Sequence, residues 1–397
     1  MAISPTNPNV FYFAGEAMDD RRGVFRSNDG GVRWQIDTTS MFASSIGGLA
    51  VSPADSTIVF AGAKRYGTYS GNGVFKSLDS GNAWTFLKGT EGAGPIVAVD
   101  PISPEIVYTT TGDWGILKST DVGHTWFEVW RGWGDKRIGG IEVDHHRAGT
   151  LFVVKEEFDH ALYRSDDGGE TWVELTLPDV AEVYQVDSDP RIPGVVYAST
   201  ELGLFRSTDW GESWSQSAAG LETPEGCRLW GCGEYWRVTE VTFDPSDADV
   251  LYASTEVGPY RSTNGGSTWE LISEGMLFCC GVECDALTKS SGSVSCEGGP
   301  LGFAVDPDRP STVFMSTSLG TYRSYNKGAR WERITGPDQI NPKAIVAAGN
   351  GLLLGASVSA GVLRLETSPV PPPRRPGRRA SPNGSRTPPT KIDQYQE

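Results

Sequence analysis

The chain has 397 residues, of which 49 are glycine and 25 proline, with 10% aromatics and 5 methionines. That mixture suits many short strands joined by turns better than a helical protein. The formal net charge is −16, and the stretch from Thr367 onward holds six basic and two acidic residues, so the body from Met1 to Glu366 carries −20. Such a body repels phosphate backbones and excludes nucleic acid as a partner of the folded part. No run of about 18 apolar residues occurs, so no membrane span is expected.

The chain opens on Ala2-Ile3-Ser4-Pro5, which matches Ala50-Val51-Ser52-Pro53, so it enters partway through a first strand. Met1 to Pro5 shows neither a basic region nor an apolar core. The expectation is a longer natural N-terminus that supplies both a missing strand and a secretion signal. Seven segments then match Ser-x-Asp/Asn-x-Gly-x-x-Trp: Ser27 to Trp34, Ser77 to Trp84, Ser119 to Trp126, Ser165 to Trp172, Ser207 to Trp214, Ser262 to Trp269 and Ser324 to Trp331. Their tryptophans recur every 42 to 62 residues, a period of propeller blades rather than helical solenoids.

Each segment follows an alternating strand such as Gly23-Val24-Phe25-Arg26. Upstream lies a second pattern, Val99-Asp100-Pro101 to Ile106-Val107-Tyr108 or Phe243-Asp244-Pro245 to Val250-Leu251-Tyr252. One unit therefore reads as strand, Asp-Pro turn, apolar strand, variable loop, strand, Asp-containing turn, strand. The fold class expected is all-β: a β-propeller of seven to eight four-stranded blades, which leaves few open sheet edges. Ala344 to Ala347, Leu352 to Gly355 and Gly361 to Arg364 read as three strands of an incomplete eighth blade. The domain boundaries expected are residues 1–366 for the propeller and 367–397 for a disordered, Pro/Arg-rich tail.

The turn residues recur for physical reasons. A short carboxylate or amide such as Asp29 or Asn264 accepts hydrogen bonds from N–H groups of its own turn. Glycine two residues later tolerates positive φ. The tryptophan is an apolar wedge able to pack between blades. Because every blade carries the same turn, its role is structural.

These motifs resemble the BNR/Asp-box repeats of sialidases, xyloglucan-hydrolysing glycosidases, the sortilin ectodomain and a photosystem assembly factor. The resemblance covers Ala2 to Trp331 and implies the propeller fold rather than one activity. Sialidases carry an arginine triad, a tyrosine nucleophile and an early Arg-Ile-Pro element; Arg191-Ile192-Pro193 is present, but inside an ordinary Asp-Pro turn. Xyloglucan hydrolases use two facing propellers with one catalytic aspartate from each, whereas this chain holds one propeller and neither aspartate can be mapped.

Strand order puts the Asp-Pro turns and Asp boxes on one face and the variable loops on the other, where binding residues are expected. Trp114, Trp133, Trp230, Tyr235 and Trp236, with Arg137 and Arg237 at the channel mouth, are the candidate ligand-binding residues. They could stack on sugar rings or peptide side chains, or simply roof the blade ends. Two long insertions hold Cys227, Cys232, Cys279, Cys280, Cys284 and Cys296. Disulfides are expected there, because long coreless loops gain most from cross-links; a zinc site from the last four is the rival, with spacing that fits it poorly. Disulfides imply an extracellular or periplasmic location.

Glu201 and Glu256 occupy matching positions in adjacent blades, and Glu240 lies three residues beyond Arg237. These three are the candidate catalytic carboxylates, since a pair can act as acid and base on a glycoside; solvated loop charges are the bland alternative. No serine–histidine–aspartate arrangement is visible among His124, His145, His146 and His160, and no cofactor or metal is expected. The leading expectation is a monomeric binding propeller for a glycan or protein ligand, without clear catalytic machinery. The alternatives are a glycoside hydrolase of the Asp-box type and a protein-assembly factor.

Overall fold

The computed structural model describes residues 2–7, 9–16, 22–30, 32–36, 44–65, 71–111, 115–131, 137–156, 161–180, 182–221, 238–255, 258–276, 300–317, 320–334, 344–347, 352–357 and 361–366. Among these residues every helix or strand element is a β-strand. Seven sheets of four antiparallel strands follow one another along the chain, each ordered from a first to a fourth strand. The first strand of each sheet packs against the next sheet, and the seven form a propeller ring. Blade four comprises Arg137–Val143, Leu151–Glu156, Leu162–Ser165 and Val173–Leu175; blade five comprises Val183–Ser188, Val196–Thr200, Gly203–Ser207 and Ser215–Gln216. Blade six comprises Val238–Phe243, Leu251–Thr255, Gly258–Ser262 and Glu270–Leu271.

The C-terminal strands Ala344–Ala347, Leu352–Ser357 and Gly361–Glu366 pair as a three-stranded sheet. Its Ile345 and Ala347 cluster with Ala304 and Phe314 of blade seven. The expected disordered tail and all six cysteines lie outside the described residues.

All seven Asp boxes close in the same way. The serine hydroxyl donates to Oδ1 of the Asp or Asn two residues on, at 2.7–2.9 Å in every box from Ser27 to Ser324. That same oxygen accepts the backbone N–H four residues further, as at Ala83, Thr125 and Ser213. These bonds, led by the hydroxyls of Thr125 and Ser213, hold the carboxyls of Asp121 and Asp209 below the usual range. Positive φ falls on two successive residues rather than on the glycine alone. Val122 (58°), Trp210 (56°) and Lys327 (54°) precede Gly123, Gly211 and Gly328 in the left-handed region. A β-branched residue such as Val122 adopts that conformation only where its surroundings impose it.

What imposes it is the neighbouring blade. Each third strand carries a cation just before its box serine, and at three joints that cation donates to a carbonyl of the next blade's box. Lys76 donates to the Val122 carbonyl at 2.6 Å, Arg164 to the Trp210 carbonyl at 2.6 Å and Arg261 to the Lys327 carbonyl at 2.8 Å. The carbonyls of the left-handed residues are therefore the inter-blade acceptors. The tryptophans complete the joint as wedges: Trp84 packs with Val10 and Tyr12 of the preceding blade, and Trp331 with Val250 and Tyr252. At Gly275 (φ 89°) an added Cβ would lie 2.3 Å from the Trp331 carbonyl oxygen, so close backbone approach and backbone conformation both require glycine.

Within each blade the box also bonds to the first turn, as in Gly30 N–H to Asn9 O (3.0 Å) and Trp210 N–H to Gly194 O (3.0 Å). The Asp-Pro turns and boxes thus share one face. Antiparallel order sends the connections between blades five, six and seven, which hold the cysteines, to begin and end at the opposite face. Trp331 is 3% exposed and Val173 59%. Trp331→Ala should therefore cost about 3–5 kcal/mol in urea denaturation, while Val173→Ala should stay within about 0.5 kcal/mol; equal effects would remove the tryptophan wedge from this account.

Candidate functional site

Seven equivalent positions ring the inner wall, each the first-strand residue paired with the buried aromatic of the second strand. In blades one, two, three and seven that residue is Ala2, Ala50, Ala98 and Ala304, facing Tyr12, Phe60, Tyr108 and Phe314. In blades four, five and six it is Glu142, Asp187 and Thr242, facing Phe152, Tyr197 and Tyr252. Two residues earlier, Glu240 of blade six and Gln185 of blade five stand where blades two, four and seven have Gly48, Gly140 and Gly302. The repeat is otherwise uniform, so this polar sector is the part of the wall that the fold itself does not call for.

The carboxyls of this sector are strongly perturbed. Each is partly open to solvent yet enclosed by protein, and desolvation disfavours its charged form. Burial, then the negative charge of Asp187, pushes Glu142 up to about 8. Burial, then Asp187, pushes Glu240 up to about 7. Asp187 itself is raised by burial to about 6, opposed by a 2.9 Å hydrogen bond from the Gln185 amide. Glu142 reaches across the joint and accepts hydrogen bonds from the Ser188 hydroxyl (2.7 Å) and N–H (3.1 Å) of blade five. Three carboxyls on three successive blades are thus raised toward the range in which a group can give or take a proton at working pH.

Of the residues singled out in the sequence, Glu240 lies in this sector. Glu201 sits in the turn between the second and third strands of blade five, where its carboxylate accepts the Glu182 N–H at 2.8 Å. Arg137 begins the first strand of blade four, paired with Glu156. Glu256, Trp114, Trp133, Trp230, Tyr235, Trp236 and Arg237 lie outside the described residues. Trp130 packs into the joint between blades, its ring 5.5 Å from that of Trp172. Arg191 is a staple: it pairs with Asp189 at 2.7 Å and donates to the Asp244 and Asp247 carbonyls of blade six at 2.9 and 2.8 Å. Sequence reasoning missed Glu142 and Asp187. The signal was present, since both replace alanine in an otherwise regular repeat, but it emerges only when the first strands are aligned.

A family model described as "BNR/Asp-box repeat" matches residues 163–174, the third strand, box and fourth strand of blade four. The chain is a β-propeller that carries a BNR/Asp-box repeat. It is 25% identical over 338 residues to a protein named xyloglucanase from Paenibacillus sp, covering 63% of this chain and 32% of the relative. It is 27% identical over 270 residues to Xyloglucanase Xgh74A of Acetivibrio thermocellus, covering 59% and 30%. A solved structure of a Niastella koreensis GH74 enzyme superposes with a TM-score of 0.53 at 20% identity, covering 91% of this chain and 62% of that one. The Asp-box propeller thus spans about a third of the length of these curated relatives.

These likenesses correct one expectation. A binding propeller without catalytic machinery is not supported, because the relatives matched along most of the ring are enzymes. The physical reason for the error is that Asp boxes and joint tryptophans are common to binding and catalytic propellers, so they carry no information about chemistry.

The raised carboxyls have a measurable consequence. In the unfolded chain Asp and Glu ionise near their ordinary values of about 4; in the fold Glu142, Asp187 and Glu240 keep their protons to about 8, 6 and 7. The folded state binds more protons in this window, so stability falls as pH rises through it. The urea midpoint should drop between pH 5 and 8, and Glu142→Gln should shrink the drop; an unchanged drop would mean that Glu142 is not buried in its charged form.

Proposed function

We propose that this propeller is a glycoside hydrolase acting on a xyloglucan-type β-glucan outside the cell. The observation that carries this reading is the similarity to xyloglucanases, which runs along most of the ring rather than through one repeat. The inner wall supports it chemically. Glycoside cleavage needs one carboxyl that remains protonated near working pH and a second that ionises first. Glu240 (about 7) fits the proton donor, and Asp187 (about 6) the ionised partner whose charge helps to keep that proton in place.

The test is release of reducing ends from xyloglucan, with sialylated glycans as a control. Turnover should fall as pH rises through about 7, where Glu240 loses its proton. Glu240→Gln should lower kcat by about 100-fold or more with little change in KM. Binding of xyloglucan with no product from the wild-type chain would overturn the reading; full activity in Glu240→Gln would remove Glu240 from it.

A further inference from the structure

Three departures from the repeat meet at one joint, between blades four and five. Glu142 stands where four other blades have alanine. Ser188, the last residue of its first strand, stands where the others have Ile3, Val51, Val99, Val143, Phe243 and Val305. His145, in the turn after Asp144, stands where the others have Pro5, Pro53, Pro101, Pro190, Pro245 and Pro307. Each change works against stability on its own: a carboxyl enters a buried wall, a hydroxyl replaces apolar contact, and a turn loses its rigid ring.

The three side chains touch. The Ser188 hydroxyl lies 2.7 Å from Glu142 Oε1 and 2.9 Å from His145 Nδ1. Ser188 is 2% exposed, whereas His145 is exposed on the box face. The chain of contacts therefore runs from the inner wall, through a buried hydroxyl, to a solvent-facing imidazole. We propose that Glu142, Ser188 and His145 form a proton relay joining the acidic inner wall to the box face of the ring.

The hydroxyl has one hydrogen and serves two partners, so the charge on Glu142 sets its direction. With Glu142 neutral, its O–H donates to Ser188 Oγ and Ser188 donates to His145 Nδ1, which leaves the imidazole hydrogen on Nε2. In the relay step the Glu142 proton moves to Ser188 Oγ while the Ser188 proton moves to Nδ1, giving a carboxylate and an imidazolium. Loss of the Nε2 proton to water completes the step, and His145 is left as the Nδ1–H tautomer, donating to Ser188. Asp144 and Asp187 face Glu142, while Asp144, His146 and Asp189 face His145. His146 is held apart, its Nε2 3.1 Å from the Asp189 carbonyl. The relay does not depend on the identity of any substrate.

Imidazole 15N shifts of the full chain between pH 5 and 9 test this, with His124, His146 and His160 as internal references. In the wild type and in Ser188→Thr, which keeps the hydroxyl, His145 should pass from the Nε2–H to the Nδ1–H tautomer as Glu142 ionises. Ser188→Val and Glu142→Ala should lose that exchange. Both variants, and their combination should either alone fold poorly, restore residues that the other joints already carry. A tautomer exchange that persists in Ser188→Val, or that is missing in the wild type, would overturn the relay.

Discussion

The ring rests on the joints between neighbouring blades, three of which share one bond: a cation at the end of a third strand donating to a carbonyl of the next Asp box. The acceptor is the carbonyl of a residue held at positive φ, as at Val122, Trp210 and Lys327. The serine–aspartate bond shapes the turn, and the bond from the neighbouring blade holds that residue in its unusual conformation. Local turn chemistry and inter-blade cohesion are therefore a single interaction seen from two sides. The tryptophan that ends the box then seals the joint with apolar contact.

Such a joint leaves the inner wall unconstrained. Where cohesion is all that is required, the wall position is alanine, small enough for first strands to approach the axis. Blades four to six depart from this, placing Glu142, Asp187 and Glu240 where the fold has no use for a charge. Desolvation raises all three, and the charge of Asp187 adds to the rise at Glu142 and Glu240. A symmetric scaffold thus carries an asymmetric, proton-active sector, and its cost is met by the joints around it.

How far the sequence could be read follows the same division. The boxes were legible because each is local: eight residues from serine to tryptophan contain both hydrogen-bond partners, so spacing alone implied the turn. The cation before each box serine was visible too, as Lys76, Arg164 or Arg261, but its partner lies some 46 to 66 residues away. Glu240 was found by its closeness to the channel mouth. Glu142 and Asp187 were passed over because each sits in an alternating strand, where a single carboxylate reads as an ordinary solvent-facing position.

By itself the sequence determined the four-stranded unit, the number of boxes and the face on which they lie, since these depend on contacts within one repeat. Only the tertiary structure decided which carboxyls share a wall, because radial closure brings together first strands whose carboxyls are 45 residues apart from Glu142 to Asp187 and 53 from Asp187 to Glu240. It also placed Ser188 between Glu142 and His145. Glu142 and His145 stand three residues apart in blade four, but no spacing rule links them to Ser188, which meets them because adjacent blades are in register across a joint.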